Sequence, residues 1–101
     1  MIKIIKLSTG EELIGDVTDS NMGYKVVHPC MLQLIPSRNN NEPTMGMFPY
    51  AIHTKEHTIL VGKEHVIWTE EPVTELYNQY NSVFVSGIVM TGAGTPSFHP
   101  V

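Results

Sequence analysis

The sequence has almost no cysteine and no long apolar run. Its one cysteine, Cys30, excludes an intrachain disulfide and a zinc site built from several thiolates. We predict that this thiol is a buried spectator in an apolar strand and not a reactive nucleophile. No stretch approaches the ~20 apolar residues of a membrane span, and lysines interrupt the N-terminal segment where a signal peptide needs its apolar core. We therefore expect a soluble, cytoplasmic protein that does not contact a membrane.

Charged residues are also scarce, and basic residues are in the minority. Charged residues make up 16% of the 101 residues. The chain has six Lys and Arg against ten Asp and Glu, which gives a net charge of −4. Duplex binding needs a broad basic face to displace condensed counterions, and six basic residues cannot form one in a monomer. A ring of copies could still gather lysines around a compact single-strand site. The short chain and its sparse charge favour self-association.

The sequence carries no pattern that is typical of an active site. There is no Gly-x-Ser-x-Gly elbow and no phosphate-binding glycine loop. The paired acids at 11–12 and 70–71 are adjacent, so on a strand they point to opposite faces and suit no catalytic pair. Among five scattered histidines, His53 and His57 bracket a tight turn and could meet a metal across it; the alternative is that they are ordinary surface histidines. We predict a non-catalytic protein without a metal or another cofactor.

Five runs of branched or alternating apolar residues predict five strands. Glycines at 15 and 62 predict bends or close backbone approach, and Pro29 predicts a bulge, a bend or an edge because it cannot donate to a ladder. The last two runs predict a hairpin closed by residues 55–57. Five strands with bend glycines favour a strongly bent sheet or small barrel over a sandwich. The runs are IKIIKL (2–7), ELIGDVTD (12–19), YKVVHPCMLQLIPS (24–37), GMFPYAIHT (46–54) and TILVGKEHVIWT (58–69).

The apolar period changes near the C-terminus. Residues 73–84, VTELYNQYNSVF, place apolar side chains at three- and four-residue spacing, which predicts an amphipathic helix with Pro72 in its first turn. We predict one domain over 1–84 that includes this helix. The tail at 85–101 mixes Gly, Pro and Ser with scattered apolar residues, and we expect it to be flexible or ordered by a partner.

Two runs resemble the motifs of the Sm-like family. Residues 5–17, IKLSTGEELIGDV, resemble the first motif, in which apolar-x-Leu, a glycine turn and a carboxylate precede apolar-x-Gly-x-apolar. Residues 60–68, LVGKEHVIW, resemble the second motif, a glycine followed by a short turn and an aliphatic pair. With the strands between them, the resemblance covers residues 2–69. It implies a strongly bent five-stranded antiparallel sheet whose outer strands pair between copies in rings of five to seven subunits; compact members also occur in phages.

The same resemblance implies a ligand. Sm-like proteins bind single-stranded, often uridine-rich RNA near the pore, through the loop after the second strand and the loop between the fourth and fifth strands. The matching positions here are Asn21, Met22, Lys63 and His65. Asn can read base edges, Met can pack on a base face, and Lys63 can meet phosphate. The competing interpretation is that all four are hairpin-tip residues that serve only turn geometry.

Several positions depart from the family pattern and support a second hypothesis. Val61 stands where the second motif usually carries an arginine, and the first motif ends at Gly23 where the family usually has Met-Asn. The helix follows the sheet, although in the family a helix commonly precedes the first strand. With the acidic balance, these differences favour a structural or protein-interaction module that does not bind nucleic acid and contacts a partner through helix 73–84 or the tail. We predict that Trp68, Tyr77 and Tyr80 serve core or interface packing.

Overall fold

An antiparallel sheet makes up most of the protein, and one helix follows it. The computed structural model describes residues 1–36 and 42–84. No helix in this part of the chain is long and apolar enough to cross a membrane. A 3-10 turn, Lys63–His65, separates the last two strands. The elements are β1 (Ile2–Leu7), β2 (Glu12–Ser20), β3 (Gly23–Ile35), β4 (Thr44–Pro49), β5 (Thr58–Val61), β6 (Val66–Glu70) and α1 (Thr74–Phe84).

The strand order is β4-β3-β2-β1-β6, and β5 also pairs with β3. The outer edge of β3 is therefore shared, because residues 24–27 pair with β5 and residues 30–35 pair with β4. Among the described residues, no strand pair joins β6 to β4 or β5. The sheet is open, strongly bent and antiparallel, which confirms the predicted mainly β fold with a C-terminal helix.

A bulge bends the two longest strands. The register between β2 and β3 shifts so that His28 and Pro29 lie opposite Gly15. His28 has a φ of 52°, in the left-handed region. A β-carbon at position 15 would lie 2.7 Å from Val26 Cγ1 and 3.1 Å from the Val27 carbonyl oxygen. Only glycine fits this close approach, so the bend predicted at Gly15 and Pro29 is confirmed.

Each face of the sheet carries an apolar cluster, because alternate strand residues point to opposite faces. One cluster is covered in part by Met31, Tyr50 and Ile59. The other lies under α1, which contributes Leu76 and Phe84 to its border. The buried members of the first are Ile5, Leu7, Leu13, Val17 and Val26. The buried members of the second are Ile14, Cys30, Leu32 and Tyr80.

The Tyr80 side chain ties helix α1 to the bulge of β3 by hydrogen bonds. The buried Tyr80 hydroxyl donates to the carbonyl oxygens of Val27 and His28, at 3.2 and 2.8 Å. Burial raises the pKa of Tyr80, so the hydroxyl keeps the proton that it donates. The helix begins at Thr74, one residue later than predicted, and the Val73 carbonyl accepts the first helical hydrogen bond, from the Tyr77 amide at 3.0 Å.

The predicted hairpin between the last two apolar runs is wrong. Strand β4 ends at Pro49, and the predicted strand at 58–69 is divided by the 3-10 turn into β5 and β6. The intervening residues are held at the bulge at both ends: the Tyr50 amide donates to the Pro29 carbonyl at 2.9 Å, and the His28 amide donates to the His57 carbonyl at 2.7 Å. The chain thus leaves and rejoins the same edge of β3, so β4 and β5 follow one another instead of pairing.

Other boundaries differ by a few residues. Strand β2 extends to Ser20, and β3 ends at Ile35, before the predicted limit at residue 37. Strand β4 ends at Pro49, before the predicted limit at residue 54, and Ala51 just after it has a φ of 59°, outside the extended region. The tail at 85–101 lies outside the described residues.

Candidate nucleic-acid interface

Two turns meet at one end of the sheet, and together they hold the four residues singled out by the resemblance. Asn21 and Met22 form the turn between β2 and β3, while Lys63 and His65 belong to the 3-10 turn between β5 and β6. We call these four residues the tip. The pairing of β3 with β5 brings the turns together, since Tyr24 lies opposite Val61.

Gly23 makes the close approach of these turns possible. Its φ is 145°, and a β-carbon there would collide with the Val61 carbonyl oxygen and lie 3.2 Å from the Gly62 α-carbon. A residue with a side chain would have to push β5 away from the start of β3. The glycine that departs from the family motif at this position therefore has a packing reason in this chain.

Ser20 organises the first turn of the tip. Its hydroxyl donates to the Gly23 carbonyl at 2.9 Å and accepts from the Met22 amide at 3.3 Å. The backbone polar groups of the turn are thus satisfied locally, and the side chains of Asn21 and Met22 face solvent. Met22 is 76% exposed. A thioether and an amide held outward in this way can contact the face and the edge of an unstacked base.

Lys63 is not a free cation. Its Nζ lies 2.8 Å from Asp19 Oδ1 and 5.5 Å from the centre of the Tyr24 ring. The hydrogen bond to Asp19 raises the pKa of Lys63, and the Asp19 charge acts in the same direction. The ammonium group is therefore held between an anion and an aromatic face.

The charges at the tip nearly cancel. Glu64 Oε2 lies 3.7 Å from His65 Nε2, so a second carboxylate stands beside the second possible cation. The 3-10 turn also contacts the turn that follows β1, where the Ser8 amide donates to the His65 carbonyl at 2.8 Å. Lys63 and His65 thus lie near each other without forming a basic patch.

Two residues next to the tip contact Lys63, although the sequence pattern did not single them out. Asp19 and Tyr24 flank the first turn and provide the partners of Lys63. Local sequence contains no signal for these contacts, because Lys63 lies about forty residues away along the chain and arrives only through the β3–β5 pairing.

The edge strand β6 exposes apolar side chains on both faces. Ile67 is 60% exposed and Trp68 is 39% exposed. Adjacent strand residues point to opposite faces of a sheet, so an apolar side chain is exposed on each face of β6. Leu60 of β5, on the other side of the sheet, is also exposed. Of the three aromatics predicted to pack in a core or interface, Tyr80 is buried, while Trp68 and Tyr77 are partly exposed on the single chain. The failure of alternation in β6 is a sequence signal for an unpartnered edge.

The remaining polar and reactive groups give no sign of a metal centre. Within residues 1–36 and 42–84, no group of three or more His, Cys, Asp or Glu side chains could hold a metal ion. The His57 ring stacks with that of His28, with ring centres 5.8 Å apart. Cys30 is buried, and burial raises its pKa to about 12, so the thiol stays protonated. The prediction that Cys30 is buried is confirmed.

These features define a class of protein: a small, open, strongly bent antiparallel sheet with a helix on one face and exposed turns at one end. No protein-family model and no curated protein matches this chain. Support for a particular function therefore comes from its own residues and strand order.

Proposed function

We propose that this protein is a non-catalytic Sm-like module that self-associates through the two edges of its sheet. The observation that carries the proposal is the pair of exposed apolar residues, Ile67 and Trp68, on opposite faces of the edge strand β6. The strand order supports it as well, because β6 lies at one edge and β5 at the other, which suits pairing between the outer strands of neighbouring copies.

Edge pairing between copies has a clear physical benefit. Unpaired edge amides and carbonyls are open to uncontrolled pairing, and a neighbour's strand satisfies them. Pairing β6 of one copy with β5 of the next would also cover Ile67, Trp68 and Leu60. Each Å² of apolar surface that the contact removes from water stabilises it by roughly 25 cal/mol. The contact is head to tail, so it closes into a ring when the rotation per subunit allows, and the resemblance implies five to seven subunits.

Single-stranded RNA is the ligand that we propose for this assembly. In the proposed role, Asn21 and Met22 contact bases, while Lys63 and His65 contact phosphates. The supporting observation is that Asn21 and Met22 are exposed on a turn whose flanking residues, Asp19 and Tyr24, contact Lys63. A ring repeats one weak site in every subunit, so the overall affinity for a strand that contacts several sites exceeds that of a single acidic chain.

The second candidate is an assembly or protein-interaction module that does not bind nucleic acid. The ion pair between Lys63 and Asp19 favours it, as does Val61 at the family's arginine position. In this case the partner contacts α1 or the tail. Two exposed side chains, Val73 just before α1 and Tyr77 within it, would take part.

Light scattering followed by an RNA gel shift tests both candidates. We expect the full chain to be a multimer and to retard uridine-rich single-stranded RNA, with affinity that falls as salt rises. A multimer that does not bind RNA at low salt, where electrostatic attraction is strongest, would reject RNA binding and favour the interaction module. A monomer at all concentrations would refute the assembly itself.

A further inference from the structure

Three aromatic rings stack where α1 meets the bulge of β3. The His28 ring lies between that of His57, 5.8 Å away at 27°, and that of Phe84, 5.1 Å away at 19°. The Phe84 ring in turn contacts Tyr80, with centres 4.6 Å apart. The C-terminal half of the helix is therefore joined to the sheet through an imidazole pair.

The backbone holds the two imidazoles in place. His28 and His57 both have left-handed backbone conformations, with φ values of 52° and 50°. Residues other than glycine adopt this backbone region at a cost in free energy, so the surrounding structure must impose it. A hydrogen bond from the His28 amide to the His57 carbonyl, at 2.7 Å, ties the two residues together. The Tyr80 hydroxyl binds the His28 carbonyl from the helix side, at 2.8 Å.

The groups around His28 disfavour its protonated form. Burial is the largest cause that lowers the pKa of His28, and His57 from the loop before β5 lowers it further. Asp16 of β2 acts in the opposite direction. The third packed element, α1, contributes the Tyr80 hydroxyl and the Phe84 ring. Neither of these groups carries a charge that would compensate a proton on His28.

Linkage fixes the sign of the effect. A histidine whose folded-state pKa lies below its ordinary value of 6.5 stabilises the docked arrangement above that pH. This contribution is lost as the pH falls toward the lowered value, because protons bind preferentially to conformers in which the imidazole is solvated. His28 is half-buried in the docked arrangement, and departure of the helix removes Phe84 and Tyr80 from it and increases its contact with water.

We propose that the stack of His28, His57 and Phe84 is a pH-sensitive clamp that holds α1 on the sheet at neutral pH and releases it in mild acid. Release exposes the apolar cluster beneath the helix, which includes Ile14 and Cys30. The clamp is separate from the tip, so it stands whether or not the protein binds RNA.

Cys30 provides a site-specific reporter of release, since it is the only cysteine of the chain and lies buried under α1. The experiment measures its labelling by a dithiodipyridine, which still reacts with thiols in mild acid. At each pH the rate is divided by that of the urea-denatured chain, which removes the intrinsic pH dependence. We expect this ratio to rise between about pH 7.5 and about pH 5. A flat ratio would overturn the proposal.

Two variants assign the rise to the clamp. His28→Asn removes the titrating group and keeps a residue that tolerates positive φ, so we expect loss of most of the rise. His53→Asn changes an exposed histidine in the segment between β4 and β5, which also carries His57, and should keep the full rise. Equal rises in the His28 and His53 variants would show that another group titrates, and the clamp would be rejected.

A second measurement keeps the test decisive if His28→Asn fails to fold. In the wild type, the NMR titration midpoint of His28 should lie below its ordinary value of 6.5, and His57→Asn should move it upward by removing a like charge. An ordinary midpoint for His28 would refute the clamp. Amide exchange separates release from global unfolding: α1 should lose protection at a higher pH than β2, and simultaneous loss would also refute it.

Discussion

The ammonium group of Lys63 lies 2.8 Å from the carboxylate of Asp19, across the two turns at the end of the sheet. The residue that the Sm-like resemblance assigns to phosphate is thus already paired within its own subunit. Both side chains are open to water, so the pair is screened by salt and a phosphate competes with Asp19 for the same donor. In the proposed RNA-binding role, this competition sets the affinity of the tip for a phosphate group.

Removal of the competitor is expected to strengthen RNA binding. Asp19→Asn should raise the affinity for uridine-rich single strands, and Lys63→Ala should lower it and reduce the salt slope by about one. Lys55→Ala, which removes an exposed lysine away from the tip, serves as the matched control. The measurement is fluorescence anisotropy over a salt series. Equal effects of the Lys55 and Lys63 changes would show that the tip is not the binding site.

Charge on the edge strand is expected to break the assembly. Ile67→Lys introduces a cation on β6, where a neighbouring strand would bury it, so the multimer should dissociate. Leu34→Lys is the control, because Leu34 is 59% exposed against 60% for Ile67 and lies on β3 instead. Light scattering at matched concentration measures both. A multimer that survives Ile67→Lys and is lost in Leu34→Lys would place the interface on β3 instead.

The bend in β2 is expected to tolerate no side chain. Gly15→Ala places a β-carbon 2.7 Å from Val26 Cγ1 and 3.1 Å from a backbone oxygen, so the two strands must separate. We expect a loss of about 1–3 kcal/mol in the free energy of unfolding, measured in urea. Gly10→Ala is the comparison, since its φ is 104° and no atom lies within 4 Å. That change costs about 1 kcal/mol through conformation alone. A Gly15 variant as stable as the wild type would contradict the close approach.

The Tyr80 hydroxyl is expected to matter more than that of Tyr77. Tyr80→Phe keeps the buried ring and removes the hydrogen bonds to the Val27 and His28 carbonyls, so unfolding should become easier by about 1 kcal/mol. Tyr77→Phe changes a partly exposed ring on the same helix and should have little effect. Urea unfolding measures both, and amide exchange of α1 should report faster opening in the Tyr80 variant only.

Local pattern was informative about the elements and their bends. Alternation in 2–7 and 12–19 predicts β1 and β2 almost to the residue, and the period of 73–84 predicts α1. Gly15 and Pro29 mark the bend because their backbone properties are intrinsic to the residue type. Such features depend on the period of apolar residues and on covalent geometry, which are written in consecutive letters.

The predicted hairpin shows where local pattern stops being sufficient. Apolar runs at 46–54 and 58–69 lie close in sequence, which favours mutual pairing, yet β4 and β5 both pair with β3. The positive φ values at Ala51 and His57 turn the chain out and back at the bulge. Loop geometry of this kind depends on hydrogen bonds to Pro29 and His28, which are distant in sequence.

The sequence by itself determined that the chain forms a bent β sheet with a C-terminal helix, because strand and helix periods and bend residues are local properties. Only the tertiary structure decided that Lys63 is neutralised by Asp19 and that His28 is enclosed by His57 and Phe84. Both arrangements join residues from different strands or from the helix. The distances that set their electrostatics exist only once β3 pairs with β5 and α1 packs on the sheet.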